Sequence, residues 1–334
     1  MKVAVIGAGG MGRIHAEAYR DHPRAELVGV ADAREEEAAA LAAAVGTRAY
    51  ASLEALMQAE DPDVVDICLP TFLHREYALR AAAFGKHVVC EKPIAGFLQD
   101  AEDMIEACGK AGVRLFVGHV LRFFPEYAAA RDTVLDGSLG RIATVRTERL
   151  SVAPRGAGGW YADAAKSGGV LLDLMIHDFD WLRWTFGEVE RVYARSLAAV
   201  RSDVPDHAFV SLRFRDGTIG YACGSWTYPD GFATRLEIAG TGGILAHDSD
   251  DSATNRHSLR AAEADRPSVQ VPRSPLFRSP YEEELDHFIR CLETGGEPLV
   301  TAEDAWHALR IGLAARRSAM TGEAIALPKE GGFR

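Results

Sequence analysis

The first 120 residues switch repeatedly between two hydrophobic periods, and this alternation constrains the fold more than any other feature of the chain. Short apolar runs rich in β-branched residues stand at Lys2–Ile6, Glu26–Ala31, Val64–Leu69, His87–Cys90 and Val113–Gly118. Between them, Met11–Asp21, Glu35–Ala44, Leu53–Ala59, Leu73–Phe84 and Leu98–Lys110 carry helical spacing. A parallel link between neighbouring strands needs a crossover of about a dozen residues or more, so the alternation predicts a parallel sheet flanked by helices. The runs are apolar throughout rather than alternating, as in strands covered on both faces.

Beyond residue 120 the pattern changes. Phe123–Asp136 reads as a helix closed by a turn at Asp136-Gly137, and Gly169–Phe186 as one long helix. Alternating runs follow at Arg191–Val200, His207–Phe214, Thr218–Trp226 and Thr234–Ala239, with Arg215-Asp216-Gly217 as a hairpin turn. They predict an antiparallel sheet and an α+β second half. His247–Pro275 is polar and reads as loops with short edge strands, and Tyr281–Glu293 and Ala302–Thr321 as closing helices. The expected division is a dinucleotide-binding domain over 1–120 and an α+β domain over 121–334, whose last helices can pack back on the first. A chain of 334 residues suits two domains of about 150 each.

Val3-Ala4-Val5-Ile6 runs straight into Gly7-Ala8-Gly9-Gly10-Met11-Gly12. A GxGxxG match alone is weak, but this one follows a strand and opens a helix. Asp32 ends the next strand, 20 residues after Gly12. That is the context of the dinucleotide fingerprint. Gly7 permits the tight turn, Gly9 lets the backbone approach a pyrophosphate, and Gly12 lets helix pack on strand. The N–H groups of Gly10, Met11 and Gly12 then open the helix towards the phosphates. Asp32 suits the adenosine ribose hydroxyls and repels a 2′-phosphate, which favours NAD. Arg34 could pair with such a phosphate and keeps NADP open, although it also reads as a solvated start to the acidic run Glu35-Glu36-Glu37.

Glu91-Lys92-Pro93 follows the strand His87–Cys90. Open parallel sheets bind ligands beyond the carboxyl ends of their strands, so Lys92 is placed towards the nicotinamide end of a cofactor. An ammonium there can donate to a substrate oxygen and hold developing charge. Position alone leaves open an ordinary surface lysine before a helix-starting proline. Within Gly169–Phe186, helical spacing puts Met175, Phe179, Leu182 and Phe186 on one face and Asp173, His177, Asp180 and Trp184 on the other. Asp173 and His177 are then i,i+4 neighbours, and a carboxylate beside an imidazole raises its basicity towards that of a general base. The same spacing equally describes an incidental pair on a solvated helix. No third ligand with zinc-like spacing accompanies them, so no catalytic metal is expected.

The composition is 48% apolar and 25% charged with a net charge of −11, which argues against nucleic acid or an anionic membrane as main partner. Cys68, Cys90, Cys108, Cys223 and Cys291 are scattered and odd in number, so they read as reduced thiols of a cytoplasmic protein. The apolar start ends at Gly7, too soon for a signal peptide, and no run reaches the roughly 18 apolar residues of a membrane helix.

The glycine turn, Leu69-Pro70-Thr71-Phe72-Leu73-His74, Glu91-Lys92-Pro93 and Gly168-Gly169-Val170-Leu171-Leu172-Asp173-Leu174-Met175-Ile176-His177 stand in the order found in the Gfo/Idh/MocA oxidoreductases. The resemblance extends over nearly the whole chain, to Tyr281–Phe288 and the Pro298–Gly322 region. It implies a Rossmann domain plus an α+β domain with a large, mostly antiparallel open sheet, and a homodimer or homotetramer built on that sheet. It assigns catalysis to Lys92, Asp173 and His177. Pro70, Thr71, His74 and Glu91 match positions beside the nicotinamide half, and Arg122 and Trp160 match looser substrate-cleft positions. The implied reaction is oxidation of a secondary alcohol of a sugar, cyclitol or sugar derivative by NAD, with His177 as base. Two alternatives remain: an NAD-dependent glycosidase that oxidises only transiently, and a dinucleotide-binding sensor with an inactive site.

Overall fold

A computed structural model describes residues 1–198, 206–250 and 278–329. They form two compact units. The first holds 1–123 with 278–306, and the second holds 124–250, without the segment 199–205, together with 307–329.

In the first unit, strand and helix alternate: β1 (Lys2–Ile6), α1 (Gly10–Arg20), β2 (Glu26–Ala31), α2 (Glu35–Val45), β3 (Arg48–Tyr50), α3 (Leu53–Glu60), β4 (Val64–Ile67), α4 (His74–Ala83), β5 (His87–Glu91), α5 (Leu98–Ala111) and β6 (Leu115–Gly118). The six strands are all parallel, in the order β3-β2-β1-β4-β5-β6. This is the doubly wound order, which reverses direction between β1 and β4 and opens a crevice at their carboxyl ends. Val3, Val5, Val64, Val89 and Phe116 present one face of the sheet to a core completed by Tyr19, Leu41, Leu285, Phe288 and Ile289. The last three belong to α10 (Pro280–Thr294). This helix starts at a capping box, in which Ser279 and Glu282 satisfy each other's backbone amides, with Pro280 in its first turn. Among the described strands of this unit, only β3 lies outside those read from the sequence. At three residues, two of them exposed, it carries no hydrophobic period.

The second unit contains α6 (Pro125–Leu135), β7 (Ile142–Val152), α7 (Ala164–Ser167), α8 (Gly169–Asp173), α9 (Ile176–Phe186), β8 (Val189–Leu197), β9 (His207–Phe214), β10 (Ile219–Ser225), β11 (Thr227–Gly240), β12 (Gly243–Asp248) and β13 (Ile325–Ala326). Its helix α11 (Ala302–Thr321) begins among the residues of the first unit. The seven strands run in the order β12-β11-β7-β10-β9-β8-β13. Every neighbouring pair is antiparallel except β7 with β10. One sheet face carries the buried Ala208, Val210, Leu212 and Ala222, while Phe209, Ile219 and Tyr221 stand exposed on the other. Of the polar stretch expected to hold edge strands, β12 is one, and 251–277 lie outside the described residues.

Two expectations change here. The central strand β7, eleven residues long, was not among the strands read from the sequence. The single helix over Gly169–Phe186 is two helices, α8 and α9, separated at Leu174 and Met175. The Met175 amide reaches back to the Val170 carbonyl at 3.0 Å, one residue further than an α-helical bond, so the turn is wide and shifts the register of α9 relative to α8. Met175 is fully buried, and a Cβ on Gly224 of β10 would lie 2.3 Å from its Cγ, so the break packs directly on the sheet.

Candidate active site

The glycine turn is shaped by contacts that a side chain would prevent. Gly7 has φ +105°, and a Cβ there would stand 2.5 Å from the Cys68 carbonyl oxygen. A Cβ on Gly12 would meet the Gly7 oxygen at 1.7 Å. A Cβ on Gly9 would meet nothing within 4 Å, so the backbone lies open on the side where a ligand approaches. Gly9 caps α1 and offers no side-chain acceptor, which leaves the first-turn N–H groups of Gly10, Met11 and Gly12 for an anion.

Asp32 follows β2, one strand over. Its Oδ2 accepts the Ala8 amide at 2.8 Å and Arg34 Nη2 at 3.1 Å, and its Oδ1 accepts the Arg34 amide at 2.8 Å and Arg34 Nε at 3.2 Å. Burial would raise this carboxyl's pKa, but the Ala8 and Arg34 amides and the guanidinium hold it below the usual range. The ionised group therefore stands at the carboxyl end of β2, where a ribose diol would find an acceptor.

Ile6, Ile67 and Cys90 are paired across β1, β4 and β5, so Gly7, Cys68 and Glu91 come off the sheet at one level. Lys92 is one residue further, about two strand spacings or roughly 10 Å from the glycine turn. The Lys92–Pro93 peptide is cis. Pro70 leads into a short helical turn over Thr71–Leu73 with Thr71 buried.

Several expected cofactor and substrate contacts have other work. His74 is buried, with Nδ1 2.9 Å from the Pro93 carbonyl and Nε2 2.8 Å from the Leu69 carbonyl. Its ring bridges the loops after β4 and β5 and so braces the crevice. Burial lowers its pKa, with those two carbonyls opposing. Glu91 faces the sheet core: Oε1 stands 3.1 Å from His15 Nε2, and Oε2 accepts the Lys92 amide at 3.1 Å. Arg122 is buried with Nη1 on the Leu299 carbonyl at 2.7 Å and on Asp304 at 3.2 Å, so it anchors the start of α11 and the chain leading into it.

In the second unit, Asp173 ends α8 and His177 lies in the first turn of α9, across the wide turn. They are not neighbours on one regular helix, and the supposed polar face is not solvated: Asp173 and Asp180 are buried and His177 is largely covered. The residue after His177 anchors it. Asp178 accepts Arg149 Nε of β7 at 2.7 Å, with both side chains buried. Breaking such a pair typically costs about 3–5 kcal/mol, so the start of α9 is fixed to the sheet. Trp160 is half-buried in a loop of short turns, stacked on Tyr161 at 3.9 Å, while Tyr161 meets Trp226 edge-on at 6.2 Å.

Sequence reasoning missed His15, Asp66, Arg149 and Asp178. Asp66 carried a signal, since an acid inside the run Val64-Val65-Asp66-Ile67 must find a buried partner. It finds His15 Nδ1 at 2.8 Å. Among the described residues, His15, Asp66 and Cys68 bring ligand-type atoms within 4.8 Å of one another, and those atoms already pair among themselves.

Comparison with known proteins gives a consistent answer. Residues 1–119 match the model described as "Oxidoreductase family, NAD-binding Rossmann fold", and 127–246 match the "GFO/IDH/MocA C-terminal domain". The chain is similar to a myo-inositol 2-dehydrogenase from Thermotoga maritima, 33% identical over 95% of this chain and 96% of that protein. It is also similar to a 1,5-anhydro-D-fructose reductase from Ensifer adhaerens, 33% identical over 90% of each. Among solved structures, GenD2 from gentamicin A biosynthesis in complex with NAD superposes with a TM-score of 0.87 at 27% identity, over 98% of this chain and 96% of that one.

Proposed function

The chain belongs to the Gfo/Idh/MocA oxidoreductases, and from that premise we propose that it transfers hydride between the secondary alcohol of a sugar, cyclitol or sugar derivative and NAD. Relatives named as a dehydrogenase and as a reductase support that substrate class in either direction. The observation that carries the reading is the crevice end of the parallel sheet: an open glycine turn, an ionised Asp32 and Lys92 all leave it on one side.

The residues present fit NAD. Open backbone at Gly9 and the uncapped N-terminus of α1 suit a pyrophosphate, and Asp32 suits a ribose diol. When bound, the nicotinamide supplies the acceptor for hydride. The protein's own part is proton and charge management. His177 takes the hydroxyl proton as the carbon is oxidised, and returns it in the reverse direction. Lys92 donates a hydrogen bond to the reacting oxygen and holds its developing charge. Asp173 orients the base and the substrate hydroxyls. Buried Asp178 holds α9 in place without touching substrate.

The test starts with a panel of inositols, aldoses and sugar acids offered with NAD and NADP, read by net NADH or NADPH. On the best substrate, His177→Ala and Lys92→Ala each lower kcat/KM by at least ~10²-fold while NADH still binds. If the two act on one hydroxyl, the double variant loses little more than either single one. Near-normal turnover in either variant, or losses that multiply, would refute the assignment. Sugar release without net NADH would move the protein to the transient-oxidation class.

We place the enzyme in the cytoplasm on its unpaired cysteines. Among the described residues no helix is long and apolar enough to cross a membrane. The exposed sheet face of the second unit is proposed as the seat of a second copy.

A further inference from the structure

Behind Lys92, the first unit buries a charged cluster inside an otherwise apolar core. His15 and Asp66 have no exposed surface, Glu91 is 5% exposed, and they lie on the sheet face built from Val3, Val5, Val64, Val89 and Phe116. His15 Nδ1 meets Asp66 Oδ2 at 2.8 Å, and Cys68 Sγ stands 3.3 Å from the same nitrogen and 3.5 Å from Asp66 Oδ1. On the other side of the ring, Nε2 is 3.1 Å from Glu91 Oε1. The second Glu91 oxygen accepts the backbone N–H of Lys92 at 3.1 Å. Room for this carboxylate comes from Gly118 of β6, its partner across the strands, where a Cβ would lie 3.2 Å from Glu91 Oε1. Tyr19 of α1 and Glu284 of α10 border the cluster, and Tyr281 packs near the His15 ring with centroids 6.5 Å apart.

Burying charged groups is costly, and an apolar cluster of the same volume would serve stability as well or better. The cluster is therefore better explained by what it fixes. A single imidazole joins α1, which opens the cofactor crevice, to β4 through Asp66 and to β5 through Glu91. Glu91 is the residue whose carboxylate grips the next peptide. Burial alone would lower the His15 pKa, but Asp66 and Cys68 raise it well above the ordinary value, which favours the charged ring that both carboxylates face. Burial would likewise raise Glu91, while His15 and Lys92 hold it ionised. A cation between His15, Asp66 and Cys68 would have to break the contacts these three side chains make with one another.

We propose that His15 is a positioning residue for Lys92: clamped between Asp66 and Glu91, it fixes the carboxylate that holds the Lys92 amide, and so sets where the ammonium stands. The proposal rests on Lys92 acting at the reacting oxygen. His15 touches neither cofactor nor substrate, and its effect passes through Glu91.

Two substitutions separate the links. In His15→Asn the amide nitrogen overlays Nδ1 and can reach Asp66 only. In His15→Gln it extends to the Nε2 side and can reach Glu91. Hydrogen–deuterium exchange of the cofactor-free protein, read on the peptide that contains Lys92, needs no substrate. Exchange there is expected to rise roughly 10-fold in His15→Asn and to return towards wild type in His15→Gln. On the substrate found by the panel, kcat is expected to fall about 10–100-fold in His15→Asn, with the NADH Kd within about 3-fold, and to recover in His15→Gln. If His15→Asn does not fold, Glu91→Asp, which withdraws the same carboxylate by one methylene, gives the same exchange and kcat pattern. Unchanged exchange at Lys92, equal effects of Asn and Gln, or loss of NADH binding in parallel with kcat overturns the proposal. A Lys92→Ala variant with normal turnover would instead sink the underlying role of Lys92, and the exchange result would still decide what His15 does.

Discussion

At the scale of single residues, what a side chain can offer a ligand depends on how many of its polar positions are already engaged. Lys92 and the glycines stand where their motifs placed them, because strand ends and tight turns are local properties. His74, Glu91 and Arg122 were also read as ligand contacts, yet their polar atoms are taken up by carbonyls, an imidazole and Asp304. No one-dimensional pattern reports whether a donor is already engaged. Asp32 makes the point quantitatively. A carboxylate has about four acceptor positions, and two donors sit on each of its oxygens here, three of the four belonging to Arg34. A ribose diol must displace the guanidinium, which is then the nearest cation to a 2′-phosphate. Arg34→Ala is therefore expected to weaken NADPH at least ~10-fold relative to NADH in fluorescence titrations, since a charged hydrogen bond to phosphate is worth about 1.5–3 kcal/mol. An unchanged NADPH-to-NADH ratio would show that Arg34 does not face that position.

At the scale of elements, short unbroken apolar runs and elements with one covered face were legible, whereas a break inside a stretch covered all round was not. Val170, Leu171, Leu172, Leu174, Met175 and Ile176 are all buried, so the stretch has no apolar stripe whose phase could reveal the break after Asp173. β7 was missed for the opposite reason: Arg146, Glu148 and Arg149 interrupt its run, although Arg149 is buried against Asp178. The break between α8 and α9 gives this unit a mechanical dependence on β10. Gly224→Ala would push a methyl group into Met175, where overpacking costs about 1–3 kcal/mol. The expected result is a lower Tm together with a fall in kcat, at unchanged NADH affinity because the binding turn lies in the first unit. A lower Tm with kcat intact would mean that Met175 supports the fold but does not place His177.

At the scale of the molecule, the second unit presents a sheet with one face covered and one bare. Phe209 is 42% exposed, Ile219 41% and Tyr221 37%, and Phe209 stacks on Tyr221 with centroids 6.0 Å apart. Phe209 and Tyr221, with Thr144, Arg146, Glu148 and Glu237, border a groove of about 430 Å³. An apolar centre flanked by paired charges suits a self-complementary contact, the usual way a chain makes a twofold dimer. Phe209→Glu is expected to shift the mass measured by light scattering from dimer or tetramer towards monomer. A wild-type protein that is already monomeric at micromolar concentration would remove the basis for that interface.

The placement of β7 also bears on how the chain is made. It lies between β10 and β11, so both of its neighbours are translated after it, the nearer pairing Thr144 with Ile219. At synthesis rates of about 5–20 residues per second, the emerging polypeptide carries β7 with two bare edges for several seconds. Arg146, Glu148 and Arg149 are then the charges that keep an orphan strand from pairing with its neighbours on the polysome.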